Sequence, residues 1–71
     1  MARTTVKQKL GKNLQRIRKE KGITQEKLQE LSGIDRGYIS GVERGVRNPS
    51  IKNVERLAKA LKVSVSDLTN F

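Results

Sequence analysis

The chain is predicted to be all-α, a compact bundle of five short helices. Apolar residues recur at steps of three and four along most of its 71 residues, and no run shows the alternation of a half-buried strand. Residues that favour helix starts precede these segments, and glycine follows three of them. The sequence contains no internal repeat or low-complexity tract. A chain of this length is expected to form one domain.

The first helix is predicted over residues 6–21, after a flexible basic arm of residues 1–5. Its apolar face is formed by Leu10, Leu14 and Ile17. Gly22 follows as a stop signal. Gly11 lies inside the helix and is expected to weaken its early turns.

The second and third helices are predicted over residues 25–32 and 36–44. Thr24 and Asp35 are favourable N-caps, and Gly33 suits the left-handed residue that ends a helix and turns the chain. On the third helix, Tyr38, Ile39 and Val42 form the apolar side, whereas Arg36, Gly37, Ser40, Gly41 and Arg44 are left for the other faces. Two short helices joined by a tight turn are a known way to enter a DNA groove.

The fourth and fifth helices are predicted over residues 51–61 and 65–70, with Ser50 and Ser64 as N-caps. The core-facing stripe of the fourth helix contains Ile51, Val54, Leu57, Ala58 and Leu61. The apolar residues of the last segment are Val65, Leu68 and Phe71. Leu68 is placed in the common core, because so short a helix must pack against something.

The charge of the chain indicates a polyanionic partner. Sixteen basic and seven acidic residues give a net charge of +9, and eight of the basic groups lie in residues 1–21. This is the electrostatic footprint of a nucleic-acid binder, and a basic surface without such a partner is the alternative. With one Tyr, one Phe and no Trp, the chain has little to stack on RNA bases, which favours duplex DNA.

Several function classes are excluded by what the sequence lacks. It has no cysteine and no histidine, which removes disulfides, thiolate metal sites and the commonest general base. It also has no nucleophile motif or phosphate-cradling loop, so we expect no metal, no cofactor and no enzyme activity. No apolar run approaches the roughly 20 residues of a membrane-spanning helix, and no signal peptide is visible, so the cytoplasm is expected.

Four motifs occur in order along the chain: ITQEKL, DRGYISGVERG, RNPS and LAKALKVS. Together they resemble the Cro and repressor type of helix-turn-helix domain (the xenobiotic response element family), a lambda repressor-like fold, over nearly the whole chain. DRGYISGVERG followed by RN is most similar to the controller proteins of restriction-modification systems, which are homodimeric regulators of transcription. Phage repressors, plasmid regulators and antitoxins, whose main partner can be another protein, have similar strings and are the alternative.

The resemblance implies that the third helix lies in the major groove. Arg36 would then meet base edges, where a guanidinium can pair with guanine O6 and N7. A phosphate contact or a solvated charge is the alternative for this side chain. The implied base-reading positions are Arg36, Gly37, Ser40 and Gly41. At the two glycines, either the backbone approaches the DNA closely or the readout uses fewer contacts.

The resemblance also implies a phosphate contact at Gln25 and a structural ion pair. The other predicted phosphate contacts are Tyr38, Arg44, Arg47, Asn48, Ser50 and Lys52. The last four lie around the start of the fourth helix, which attracts anions, and the alternative is that RNPS is only a turn whose polar groups satisfy the chain. Free amides at helix starts attract anions, which agrees with a phosphate beside Gln25, whereas the Tyr38 ring could instead support the core. Arg18 and Glu43 would form a salt bridge that ties the first helix to the third. Gln29 stands where the family usually has alanine, so it must tilt aside or find a partner.

The expected partner is a duplex DNA operator with two half-sites, bound by a homodimer. The predicted dimer interface is an apolar tail of Val65, Leu68 and Phe71, together with the end of the fourth helix. RNA polymerase is a further candidate partner, and the chain's own promoter is the expected target of a controller protein. A chain this small has no room for a sizeable effector pocket, so no small-molecule effector is expected.

Overall fold

The computed structural model describes residues 4–71, which contain five helices and no strand. The helices are α1 (Val6–Glu20), α2 (Gln25–Ser32), α3 (Arg36–Glu43), α4 (Ile51–Leu61) and α5 (Val65–Thr69). The predicted all-α bundle of five helices is therefore confirmed. The predicted ends at 21, 44 and 70 each fall on the residue after the helix. Of the predicted arm, residues 1–3 lie outside the described residues and Thr5 is the N-cap of α1.

Each helix begins with a side-chain oxygen that accepts a backbone amide. The five caps are Thr5, Thr24, Asp35, Ser50 and Ser64. Thr5 and Ser64 belong to reciprocal capping boxes, in which the side chains of Gln8 and Asp67 accept from the amide of the cap. A cap of this kind stabilises a helix by about 1 kcal/mol, and it depends only on residues two or three positions apart.

One hydrophobic core joins all five helices. Its buried members are Leu10, Leu14, Ile17, Leu28, Ile34, Ile39, Val42, Val54, Leu57, Ala58, Leu61 and Leu68. Ile51 was expected in this core but is 73% exposed. It is the first residue of α4, one turn before Val54, and it therefore lies at the end of the helix beyond the core. None of the helices within residues 4–71 is long and apolar enough to cross a membrane.

Gly11 lies where α1 crosses α3, and the two backbones touch there. A Cβ atom on this residue would meet the carbonyl oxygens of Val42 and Glu43, the second at 2.9 Å. Real Cβ atoms do not approach backbone oxygens so closely, so only glycine fits without a shift of one helix. The glycine that weakens α1 locally therefore permits the close contact that positions the end of α3.

The last helix is fastened to the first by Asn13, which is buried. Its Nδ2 donates hydrogen bonds to the carbonyl oxygens of Asp67 at 2.9 Å and Leu68 at 2.6 Å. Leu68 is 1% exposed and belongs to the core of the chain. The predicted place of Leu68 in the core is confirmed, and its second assignment, to an apolar tail that the monomer leaves uncovered, is wrong, because α5 packs on α1 and α4. Only Val65 and Phe71, exposed at 37% and 50%, remain on the surface from that tail.

Candidate nucleic-acid interface

A buried ion pair sets the position of α3. Arg18 donates through Nε to Oε2 of Glu43 at 2.7 Å and through Nη2 to Oε1 at 3.0 Å. The remaining Nη1 donates to the carbonyl oxygen of Ile23 at 2.7 Å, in the connection between α1 and α2. Gln25 adds a hydrogen bond from Nε2 to Oε1 of Glu43 at 3.1 Å. The predicted pair is thus present, and its network joins α1, the start of α2 and the end of α3.

The first amides of α3 are all hydrogen-bonded within the protein. Oδ2 of Asp35 accepts from the amides of Gly37 at 2.8 Å and Tyr38 at 3.3 Å. The amide of Arg36 donates to Oε1 of Gln29 at 2.6 Å. Gln29 has therefore found a partner, which the sequence left open. The start of α3 offers none of these three amides to a phosphate.

The starts of α2 and α4 differ from that of α3. Thr24 accepts from the amide of Lys27 and Ser50 from that of Asn53. The amides of residues 25, 26, 51 and 52 make no hydrogen bond within residues 4–71. Backbone amides at a helix start attract anions, and the helix dipole adds to the attraction. These two helix starts could therefore each hold a phosphate, as predicted around Gln25 and Ser50.

The outward face of α3 presents the predicted base-reading group at Arg36. Its side chain is 56% exposed, and Nη1 lies 3.0 Å from Oε1 of Glu26 on α2. The other guanidinium nitrogens are not engaged by this ion pair, so donors remain for a base edge. Gly37 is exposed and Ser40 is half-buried on the same helix. The structure thus keeps three of the four predicted base-reading positions accessible.

Gly41 does not lie on the open surface, contrary to the prediction. It is buried beneath Arg47, whose Cγ would lie 2.9 Å from a Cβ built on the glycine. Its carbonyl oxygen also accepts the amides of Val46 at 3.0 Å and Arg47 at 3.2 Å. The glycine is needed because the loop after α3 folds back across the helix. The Arg47 side chain therefore lies over this position of the helix.

Arg47 also lies against the ring of Tyr38, with its guanidinium carbon 5.3 Å from the ring centroid. This is the geometry of a cation–π contact, which holds a positive charge beside the outward face of α3. Tyr38 itself is half-buried and packs against the core. The ring supports the core and positions Arg47 at the same time, and its predicted phosphate contact stays a prediction.

A shallow hollow of about 540 Å³ lies beside α3. It is lined by Gly37, Tyr38, Gly41, Arg44, Val46, Arg47 and Asn48. Six of these seven residues were singled out from the sequence, and Val46 was not. Val46 is 60% exposed, and as an isolated apolar residue in a loop it has no periodicity that could have singled it out from the sequence. An apolar side chain here could contact a thymine methyl group.

Lys52 lies apart from this hollow. It is exposed in the first turn of α4 and borders a second hollow, of about 600 Å³. That hollow is lined by Lys52, Glu55, Arg56, Ala58, Lys59, Val63 and Val65. The structure therefore does not bring Lys52 together with the residues beside α3, and its predicted phosphate contact depends on the start of α4 alone.

Comparisons with known proteins agree with this geometry. A family described as helix-turn-helix matches residues 14–68. Control protein C.BamHI of Bacillus amyloliquefaciens is 44% identical over 62 residues, which cover 86% of this chain and 76% of the relative. The crystal structure of the restriction-modification controller protein C.AhdI from Aeromonas hydrophila is similar with a TM-score of 0.85 and 47% identity, over 87% of this chain and 94% of that one.

A second solved structure shows a relative with DNA. It is the restriction-modification controller protein C.Esp1396I, a tetramer in complex with its natural 35 base-pair operator. That chain is 41% identical, with a TM-score of 0.86, and the match covers 96% of this chain and 90% of that one.

Proposed function

The chain belongs to the helix-turn-helix family, as a transcriptional regulator related to the restriction-modification controller proteins, and we propose that it acts as a homodimer on a two-half-site DNA operator. The family resemblance carried by its four motifs is confirmed. The observation that supports the proposal is the accessible outer face of α3, in a chain whose α2 and α4 also begin with amides that make no hydrogen bond within residues 4–71. Such a regulator would work in the cytoplasm, where it can reach its operator.

In the proposed complex, α3 enters the major groove with its first turn toward the bases. Arg36 and Ser40 read base edges, with the guanidinium of Arg36 paired to a guanine. The starts of α2 and α4 bind phosphates on either side of the groove. Arg44 and Arg47 border the hollow beside α3 and supply positive charge for the intervening backbone. The buried pair of Arg18 and Glu43 keeps α3 at a fixed angle for this contact.

The proposed dimer interface is formed by α5 and the end of α4. Val65 and Phe71 are exposed apolar residues on this surface, and Ala58 and Val63 border the hollow beside Val65. Two copies related by a two-fold axis would place their α3 helices in successive major grooves, about 34 Å apart on one face of the duplex. Leu68 supports this surface from within the core.

The interface can be tested by sedimentation of the free protein. Phe71→Asp and Val65→Asp should shift the protein toward monomer, because each places a charge in a contact that excludes water. Val46→Asp is a matched control, since Val46 is also an exposed apolar residue but lies beside α3 instead. An unchanged dimer in both interface variants would refute this placement.

The function itself is tested by selecting bound duplexes from a random DNA pool at about 0.15 M salt, where screening of the phosphate attraction is realistic. Recovery of a motif with two repeated half-sites would support a sequence-reading dimer, and the chain's own promoter is the first place to look for it. RNA polymerase can then be added to test for a joint complex. Binding without any motif would refute sequence-specific regulation and favour an architectural or protein-partner role.

A further inference from the structure

Gln29 of α2 is hydrogen-bonded to Arg36 of α3, the residue that is proposed to read a base. Its side chain leaves α2 and crosses the turn around Gly33 and Asp35, and its Oε1 accepts the amide of Arg36 at 2.6 Å. The amide belongs to the first residue of α3, which has no intrahelical partner of its own. Asp35, the local N-cap, serves the following two amides and does not reach this one.

Glu26 lies one turn before Gln29 and therefore faces the same side of α2. It holds the other end of Arg36, with Oε1 3.0 Å from Nη1 of the guanidinium. Both ends of one arginine, its backbone amide and its charged head, are thus bound by neighbouring residues of α2. The side chains of Arg36 and Glu26 are 56% and 77% exposed, and an ion pair that is so exposed contributes little to stability by itself.

The placement of an arginine matters because its side chain is long and flexible. A bidentate pair with guanine requires two N–H donors at fixed positions relative to O6 and N7. A small change in the backbone at the first turn of α3 moves the far end of the side chain by more than the change itself. A contact that fixes that turn consequently acts on sequence preference and not only on helix stability.

We infer that Gln29 is a positioning residue for base reading, which fixes the first turn of α3 so that Arg36 leaves the helix in the direction of one base pair. Glu26 supports the guanidinium in the same orientation. Because only Nη1 is bound to Glu26, the Nη2 and Nε donors remain for a guanine. This inference rests on the proposed function, since it assigns a role within the proposed reading of DNA by α3.

If Gln29 were only a helix cap, with no role in base reading, its substitution would change DNA binding in a different way. Loss of a cap lowers stability and weakens binding to every duplex alike, whereas loss of positioning lowers discrimination at one base pair. The quantity that separates the two is the ratio of dissociation constants for two duplexes that differ only at that base pair. General phosphate attraction cancels in this ratio, because it is the same for both duplexes.

The test begins with the duplex motif recovered from the random pool. Arg36→Ala is measured against a set of duplexes with single base-pair changes, and the position at which it loses discrimination is the base pair read by Arg36. Gln29→Met, which has nearly the same shape but no acceptor, is then measured on the same set. For Gln29→Met we expect the ratio of dissociation constants at the base pair read by Arg36 to fall about three- to ten-fold, as for one lost hydrogen bond. The ratios at the other base pairs should be unchanged. Gln29→Glu keeps an acceptor oxygen and should restore most of the ratio.

Glu26 is tested against a matched control on the same helix. Glu26→Gln and Glu30→Gln each remove one negative charge from the exposed surface of α2, but only Glu26 contacts Arg36. Both variants should bind all duplexes more tightly, because phosphate attraction increases. Only Glu26→Gln should also change the ratio at the base pair read by Arg36.

The inference is overturned if Gln29→Met keeps the wild-type ratio at that position, or if it lowers all ratios equally. Circular dichroism of each variant at the assay temperature shows whether α3 is folded, and Gln29→Ala provides a second variant without an acceptor. An unchanged ratio with a clear motif would refute this role for Gln29 and leave the proposed function standing. Recovery of no motif would refute the proposed function, and the inference with it.

Discussion

Replacing Gly11 by alanine should destabilise the protein, although alanine is the better helix former. In the wild-type structure the backbones of α1 and α3 meet at this residue, and the added Cβ would be pressed against the carbonyl oxygens of Val42 and Glu43. Neither oxygen can rotate away, because both belong to the backbone of α3. The only relief is a shift of α1 relative to α3, which would also stretch the ion pair of Arg18 with Glu43.

The expected magnitude follows from two opposing effects. Alanine is favoured over glycine inside a helix by about 1 kcal/mol. Overpacking of a well-packed site costs about 1–3 kcal/mol, and two rigid contacts place Gly11→Ala near the upper end. The net loss is therefore about 2 kcal/mol, which corresponds to a fall of about 8–16 °C in Tm for a domain of this size. A single small core supplies only roughly 3–5 kcal/mol in total, so the loss is large.

Thermal and urea unfolding, followed by circular dichroism at one fixed protein concentration, would measure this loss. Gly37→Ala is a matched control, because its Cβ would meet only Oδ2 of Asp35, the end of a side chain that can turn. It should change stability little, since the gain in helix propensity offsets any weakening of the cap. If Gly11→Ala were as stable as the wild type, the close crossing would not be the reason for the glycine.

Three further changes test the remaining interactions. Asn13→Asp should destabilise the protein by at least about 1–3 kcal/mol in urea unfolding, because a carboxylate cannot donate to the two carbonyl oxygens of α5. Glu43→Gln leaves the charge of Arg18 buried without its partner and should cost roughly 3–5 kcal/mol, and Arg18→Met combined with Glu43→Leu should recover part of the lost Tm. Hydrogen bonds from the amide and hydroxyl of Ser64 hold the pKa of Asp67 below its ordinary value of 3.8. The ionised Asp67 carboxylate should therefore stabilise the fold fully above the unfolded-state pKa, and this stabilisation should be lost as the pH falls through the lower folded-state pKa. Asp67→Asn should accordingly be less stable than the wild type near neutrality and should approach the wild-type stability in acid.

Each of these expectations has an outcome that contradicts it. Wild-type stability of Asn13→Asp would mean that α5 is held by apolar packing alone. A double variant no more stable than Glu43→Gln would show that the loss does not come from the unpaired charge of Arg18. A constant difference in Tm between the wild type and Asp67→Asn at every pH would refute the role of the ionised carboxylate in the cap.

The sequence determined the helices and most of the core, because these depend on near neighbours. Caps such as Thr24 and Ser50 act over three residues, and the spacing of Leu10, Leu14 and Ile17 is that of one face of a helix. The same local patterns predicted a third helix with small and basic residues on its outer face, and its place in the major groove was implied by the family resemblance. Ile51 was assigned incorrectly, since periodicity gives the face of a helix but not where along its length the core ends.

Which positions of the candidate site are open was decided by tertiary structure. Gly41 looked like a place of close DNA approach, but the loop after α3 returns and covers it with Arg47. Leu68 was assigned both to the core and to an uncovered tail, and the fold decides for the core, because Asn13, more than 50 positions earlier, fastens its helix to α1. Gln29 had no evident partner until α2 and α3 were placed side by side.

There is a physical reason why the sequence determined some of these features and only the tertiary structure determined the others. Helix propensity, capping and apolar periodicity are set within a few residues, so the chain alone determined five helices, their buried faces and a positively charged surface. The crossing at Gly11, the ion pair of Arg18 with Glu43 and the bond from Gln29 to Arg36 join residues on different helices. Those contacts depend on how the helices pack against one another, which only the folded core decides.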